Sequence, residues 1–198
     1  MVVIRSMKSA DIDQVVDVHM ISFEGFFLSF LGRDFLTQLY SSIIQDADGI
    51  AFVSEEQRVI GFVAGTAQPS NFYRRLIIHR WWRFGLASIK PVIKNPSIIS
   101  RLLRALKMPQ SASNEANRGS LLSIAVLPEY QGKGIGELLV KAFLDESARR
   151  GLKKVDLTTD AIDNDGVNHF YKKLGFVIER SFETPEGRSM NEYLINIL

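Results

Sequence analysis

Apolar positions along the chain recur with two periods, and each change of period marks the end of an element. Val2 to Met7 is a short apolar run that predicts an edge strand. Ser9 is of a helix-capping type, and beyond it Ile12, Val15, Val16, His19 and Met20 fall on one stripe, predicting a helix from Ala10 to about Phe23. On that stripe His19 reads as a core histidine. Glu24 to Gly32 is aromatic without a period and reads as a loop. Phe35, Leu36, Leu39, Tyr40, Ile43 and Ile44 then form the apolar face of a second helix, from about Asp34 to Gln45, closed by Asp46, Asp48 and Gly49. Ile50–Ser54 and Val59–Ala67 predict a hairpin across Glu55-Glu56-Gln57-Arg58, and Gly61 and Gly65 predict a bulge or a close backbone approach.

The second half repeats strand and helix signals in alternation. Residues 68–118 stand apart from it, with a basic, aromatic stretch from Phe72 to Phe84 that reads as helical. Asn95-Pro96 then opens another helix, whose stripe is Ile98, Ile99, Leu102, Leu103 and Leu106. Leu121–Leu127 predicts a buried strand that Pro128 ends, because proline has no N–H to donate. Leu138, Leu139, Ala142, Phe143 and Ala148 predict a helix with Gly151 at its C-terminus. Lys154–Thr159 predicts the next strand, parallel to Leu121–Leu127 through a right-handed crossover. Val177–Phe182 and Met190–Ile197 predict a closing hairpin across Thr184-Pro185-Glu186-Gly187.

Composition narrows the function classes. At 198 residues the expectation is a single domain over 1–198, with 68–118 as a helical basic insertion. The absence of cysteine excludes disulfides, thiol catalysis and cysteine-ligated zinc. His19, His79 and His169 are scattered, so no metal site is expected. Arg5, Lys8 and Asp11 interrupt the apolar start, and no run nears the ~18 residues that would span a bilayer, so the expected location is cytoplasmic. The formal charge of +2 conceals segregation: Gln57–Asn114 holds ten Lys or Arg and no acid, leaving 24 − 10 = 14 basic against 22 acidic groups elsewhere.

Between the predicted strand and helix lies Gln131-Gly132-Lys133-Gly134-Ile135-Gly136. Strand, glycine loop and helix aim free backbone N–H groups and a helix dipole at one point, which suits phosphate oxygens. A P-loop would need Gly-Lys-Ser/Thr, but Gly134 follows Lys133. A dinucleotide fingerprint would need glycine where Glu137 stands. Preceded by Ile124-Ala125-Val126-Leu127-Pro128-Glu129-Tyr130, the loop resembles the Gln/Arg-x-x-Gly-x-Gly/Ala motif of GCN5-related N-acetyltransferases, the GNAT family. Asn164-Asp165-Gly166-Val167-Asn168-His169-Phe170-Tyr171-Lys172-Lys173-Leu174-Gly175-Phe176 resembles that family's second signature, with Val167 where alanine is usual.

The resemblance, covering about 2–67 and 119–198, implies an α+β fold with a mixed, mostly antiparallel sheet and helices on both faces. It implies acetyl-CoA as cosubstrate, with Ile124 and Val126 bonding the acetyl carbonyl and pantetheine amides. Gln131, Gly132, Lys133, Gly134, Ile135 and Gly136 would cradle the pyrophosphate, and Asn164 would contact pantetheine. Tyr171 matches the family's general acid for the departing thiolate. Family members that acetylate ribosomal-protein N-termini carry Glu where Thr159 stands here, which argues against that subgroup and leaves Glu55, Glu56, Asp160 or a water as base, with Glu24 in the acceptor-side loop. The expected acceptor is the primary amine of a small molecule, such as an amino sugar or nucleotide-linked sugar. The basic insertion reads as a lid for an anionic acceptor, as a peripheral membrane contact through 72–107, or as a helical pair buried on the domain or on a second subunit of a homodimer. No nucleic acid is expected, since no binding module accompanies the charge. The alternative function is a non-catalytic acyl-CoA-binding sensor or scaffold.

Overall fold

The computed structural model describes residues 1–69, 72, 75 and 117–197. The expected helices of the basic insertion, and the lid, membrane and subunit readings built on them, lie outside the described residues apart from Phe72 and Arg75. Strands β1 (Val3–Ser6), β2 (Gly49–Glu55), β3 (Val59–Thr66), β4 (Arg118–Val126), β5 (Lys154–Asp160), β6 (Val177–Glu183) and β7 (Ser189–Asn196) form one sheet in the order β1-β2-β3-β4-β5-β7-β6. Every neighbouring pair is antiparallel except β4 with β5. This is the mixed α+β architecture expected, and the closing hairpin lies so that β7, not β6, pairs with β5.

Helices α1 (Ile12–Ser22), α2 (Phe27–Leu31), α3 (Arg33–Gln45), α4 (Ile135–Arg149) and α5 (Asp165–Lys173) cover the sheet. Phe62 of β3 meets the rings of His19 on α1 and Tyr40 on α3. Gly65, three positions on and therefore on the opposite face, lies so close to α4 that an added Cβ would come within 2.7 Å of Phe143. Hence α1 and α3 pack on one face and α4 on the other, and β3 is buried along its length. The Gly65 close approach coincides with a register shift between Ala64 and Gly65, as the glycine pattern predicts.

Several local expectations are corrected. Ser9 caps nothing; it lies inside a 3₁₀ turn, Ser9–Asp11, where Asp11 accepts the Lys8 N–H at 2.7 Å and is itself held by Arg5. The aromatic loop contains the short helix α2, started just after Phe26 and stopped at Gly32, whose φ is +86°. On α4 Leu139 and Phe143 are buried as expected, but Leu138 is exposed and Ala142 and Ala148 are half-buried, and Ile135, Val140 and Ser147 complete the inward face. Gly151 does follow the helix end in left-handed conformation, with φ +79°.

Candidate functional site

The site starts from an irregularity in the sheet. β4 and β5 run parallel through only three pairs, Arg118–Lys154, Gly119–Val155 and Ser120–Asp156, and then part. On its other edge β4 stays bonded to β3, where Leu127 N donates to Ile60 O at 2.9 Å. Antiparallel pairs alternate, so Ser123 and Ala125 turn their N–H and C=O toward β3, whereas Ile124 and Val126 turn theirs toward the gap that β5 has left. An interior strand thereby carries an open rim.

The glycine loop sits at the end of that rim. A 3₁₀ turn, Pro128–Tyr130, lifts the chain off the sheet, and Gly132 and Gly134 adopt φ of +74° and +77°. Gly134 is the N-cap of α4 in a conformation where a side chain would be strained. Among the described residues the Gly132, Lys133 and Gly134 amides donate to no backbone group. The amides of Ile135, Gly136 and Glu137 begin the helix and have no intrahelical acceptor. Six N–H groups and a helix dipole converge there, as an anion site requires. The Lys133 ammonium donates to Glu129 O at 3.0 Å and lies over the Tyr130 ring, while Gln131 Nε2 reaches back to Val126 O at 3.0 Å. Ser22 Oγ, from the end of α1, approaches the same carbonyl at 3.4 Å.

Across the gap, α5 packs on the α4 side, where the Phe170 ring would stand 3.3 Å from a Cβ on Gly136. Asn164 is the N-cap of α5 and donates to Thr159 Oγ1 at 2.8 Å and Asp160 O at 3.2 Å, which places it where β5 has left β4. Tyr171 is buried among Phe170, Phe176 and Tyr193, and its hydroxyl has no hydrogen-bond partner among the described residues. Burial pushes its pKa well above the ordinary phenol value, so it keeps its proton at neutral pH.

The carboxylates expected to compete as general base are engaged elsewhere. Asp160 accepts three bonds from Arg188, two of them at 2.7 Å. Glu55 pairs with Arg5 at 2.7 Å, and Glu56 lies 3.6 Å from the N-terminal amino group. Glu24 is exposed in the turn between α1 and α2. The sequence did not single out Asn168. It is buried, donates to Asp160 O at 3.0 Å and Asn164 O at 2.9 Å, and accepts from Tyr193 at 2.8 Å and Asn191 at 3.2 Å. Its spacing of four from Asn164 on a capped helix is the signal that points to it. No group of His, Asp or Glu that could hold a metal ion occurs among the described residues.

An open rim on β4 running into a glycine-rich helix N-terminus is an arrangement suited to an extended, phosphate-bearing ligand. Residues 13–176 match the model of the acetyltransferase (GNAT) family, and the chain belongs to that family. Over 108 residues it is 29% identical to N-alpha-acetyltransferase 30 of Schizosaccharomyces pombe, covering 54% of this chain and 66% of that one. Over 84 residues it is 34% identical to spermidine N(1)-acetyltransferase of Escherichia coli (strain K12), covering 42% of this chain and 41% of that one. The chain thus spans less than two thirds of the length of these curated relatives. Its fold matches the crystal structure of Ard1 from Thermoplasma volcanium with a TM-score of 0.64 at 18% identity, over 100% of this chain and 98% of that one.

Proposed function

We propose that the chain is an acetyl-CoA-dependent N-acetyltransferase acting, as one domain, on a primary amine of a small molecule. The observation that carries this is the open rim of β4, with Ile124 and Val126 directed into the gap and leading to the unbonded amides of the glycine loop. In this reading the Ile124 N–H holds the acetyl carbonyl oxygen and strengthens its grip as that oxygen gains charge in the transition state. Val126 and Asn164 bond the pantetheine amides, and Gln131, Gly132, Lys133, Gly134, Ile135 and Gly136 hold the pyrophosphate. The amine attacks the thioester carbon, and Tyr171, which retains its proton, delivers it to the departing thiolate. Membership of the acetyltransferase family supports the reaction class. The acceptor class rests on less: the similarity to a spermidine acetyltransferase favours a small amine, and an amino-sugar acceptor draws only on the basic segment from Gln57 to Asn114.

Calorimetry with acetyl-CoA and CoA, followed by thiol release across polyamines, amino sugars and peptides, tests both parts. Gly134→Asp, which adds charge and a side chain at a left-handed cap, should abolish binding. Wild-type protein indifferent to both ligands at millimolar concentration would sink the proposal. The diversion of Asp160, Glu55 and Glu56 into ion pairs favours one other reading, a sensor that binds acyl-CoA without turnover. Release of thiol with any amine disposes of it.

A further inference from the structure

A buried polar chain ends beside the open rim. His19 Nδ1 lies 2.7 Å from Tyr40 Oη, and Tyr40 Oη lies 3.3 Å from Ser123 Oγ. The three residues come from α1, α3 and β4. His19 and Tyr40 are buried, whereas Ser123 is half-buried. Ser123 immediately precedes Ile124, and its side chain lies on the face that carries α1 and α3. Ser22, one turn after His19 on α1, already reaches the Val126 carbonyl on this face.

The far end of the chain holds an anomaly. His19 Nε2 is buried with no hydrogen-bond partner among the described residues. An unpartnered buried nitrogen costs free energy that an apolar side chain at this position would not. Burial also pushes the imidazole pKa down to about 4, so the ring is neutral at neutral pH and one nitrogen carries the hydrogen. With the hydrogen on Nε2, Nδ1 accepts from the Tyr40 hydroxyl and Tyr40 accepts from the Ser123 hydroxyl. Ser123 Oγ, half-buried beside the rim, then keeps a lone pair free to accept. With the hydrogen on Nδ1, each bond reverses and Ser123 presents an O–H. Only the first arrangement leaves Ser123 Oγ free to accept a proton, so a relay through these groups requires the hydrogen on Nε2.

We propose that Ser123 takes the proton of the acceptor amine, with Tyr40 and His19 as the relay behind it. This rests on the acetyltransferase reading and supplies the base that the carboxylates do not. As the amine nitrogen bonds to the thioester carbon, its proton passes to Ser123 Oγ, the Ser123 proton to Tyr40 Oη, and the Tyr40 proton to His19 Nδ1. The carbon–sulfur bond breaks with its electron pair on sulfur, which takes the Tyr171 proton. Burial disfavours the charged ring, so the imidazolium is only a transient carrier; it returns its proton through the same groups to water, and Tyr171 regains one from water. The balance is one proton lost by nitrogen and one gained by sulfur.

Two measurements test the relay. Long-range ¹⁵N–¹H correlation of the imidazole rings in wild-type protein reads the tautomer directly. Only three histidines contribute signals, so H79Q and H169Q assign the His19 set by elimination even if H19Q does not fold. The expected form carries its hydrogen on Nε2, and a neutral ring protonated on Nδ1 overturns the proposal. The second measurement is single-turnover acetyl transfer to spermidine and to an alanine-starting peptide. Y40F and S123A should each slow transfer at least tenfold at unchanged acetyl-CoA affinity, S123T should restore most of it, and the Y40F/S123A double variant should be no slower than either single one. Folded Y40F transferring at the wild-type rate removes the relay. Wild-type protein that binds no acetyl-CoA in calorimetry fails the acetyltransferase reading instead, so the two failures are distinguishable.

Discussion

Tyr171 illustrates how much one hydroxyl can be asked to decide. Its ring is fixed by Phe176 at 5.6 Å and Tyr193 at 5.9 Å, so Tyr171→Phe keeps the packing and removes only the donor. A general acid contributes about 10²–10⁴-fold in rate. Single-turnover transfer should therefore fall by tenfold or more while acetyl-CoA affinity holds; an unchanged chemical step would make Tyr171 a packing residue. Asp11 offers a second test of a single side chain. Arg5 grips its carboxylate at 2.7 and 2.8 Å and holds its pKa below the ordinary value. A carboxyl with a depressed folded pKa contributes stability above the unfolded pKa, near 3.9, and loses it as the pH falls through the folded value. Asp11→Asn should accordingly cost about 2 kcal/mol at pH 7, and the difference from wild type in urea unfolding should close as the pH drops below about 4. The glycine loop could be picked out from its strand–loop–helix context, and Asn164 and Tyr171 from the resemblance of residues 164–176 to a family signature. The His19–Tyr40–Ser123 contact could not, because its members are separated by 21 and 83 positions and no local period records such a meeting.

At the scale of elements, periodicity placed strands and long helices well, since each buries a stripe or a face that the sequence must encode. It failed where the signal was short. The five residues of α2 are apolar at nearly every position and read as an aromatic loop, and the Leu138 error on α4 arose because both faces of that helix carry leucine. Strand order was hidden for another reason: a hairpin's two strands are equally able to pair with β5, and the choice of β7 depends on side chains from other elements. Tyr193 and Asn191 of β7 both bond Asn168 of α5. Asn168 uses both its donors and both its acceptor positions, so it binds α5, β5 and β7 into one unit. Asn168→Leu keeps the volume and strands those partners. It should lower the unfolding free energy by about 3 kcal/mol and weaken acetyl-CoA binding, both measurable in one calorimetric series. Full stability with unaltered binding would mean that α5 is held by its aromatic residues alone.

Over the whole molecule, the parting of β4 from β5 needs an anchor, and Arg118 supplies it. Its guanidinium bonds Asp156 on β5 at 2.5 Å, Glu179 on β6 at 2.7 Å and Glu192 on β7 at 2.8 Å, and Arg180 of β6 pairs with Glu192 as well. Four strands are pinned at the closed end of the gap. Arg118→Met would leave buried carboxylates uncompensated, a change that costs about 3–5 kcal/mol. Chemical denaturation should register that loss, and a variant as stable as wild type would show the cluster to be dispensable. Beyond this anchor the sheet has acquired a property that its strand order conceals. An open sheet has two edges, here β1 and β6. This one has four, because past Ser120 and Asp156 the facing margins of β4 and β5 are edges too. Outer edges invite another protein's strand. The inner pair face each other, so they select for a guest slender along its whole length and furnished with amide-like donors and acceptors in sequence. In the proposed function the choice of ligand is then a choice of shape before it is a choice of chemistry, made by the two strands that do not meet.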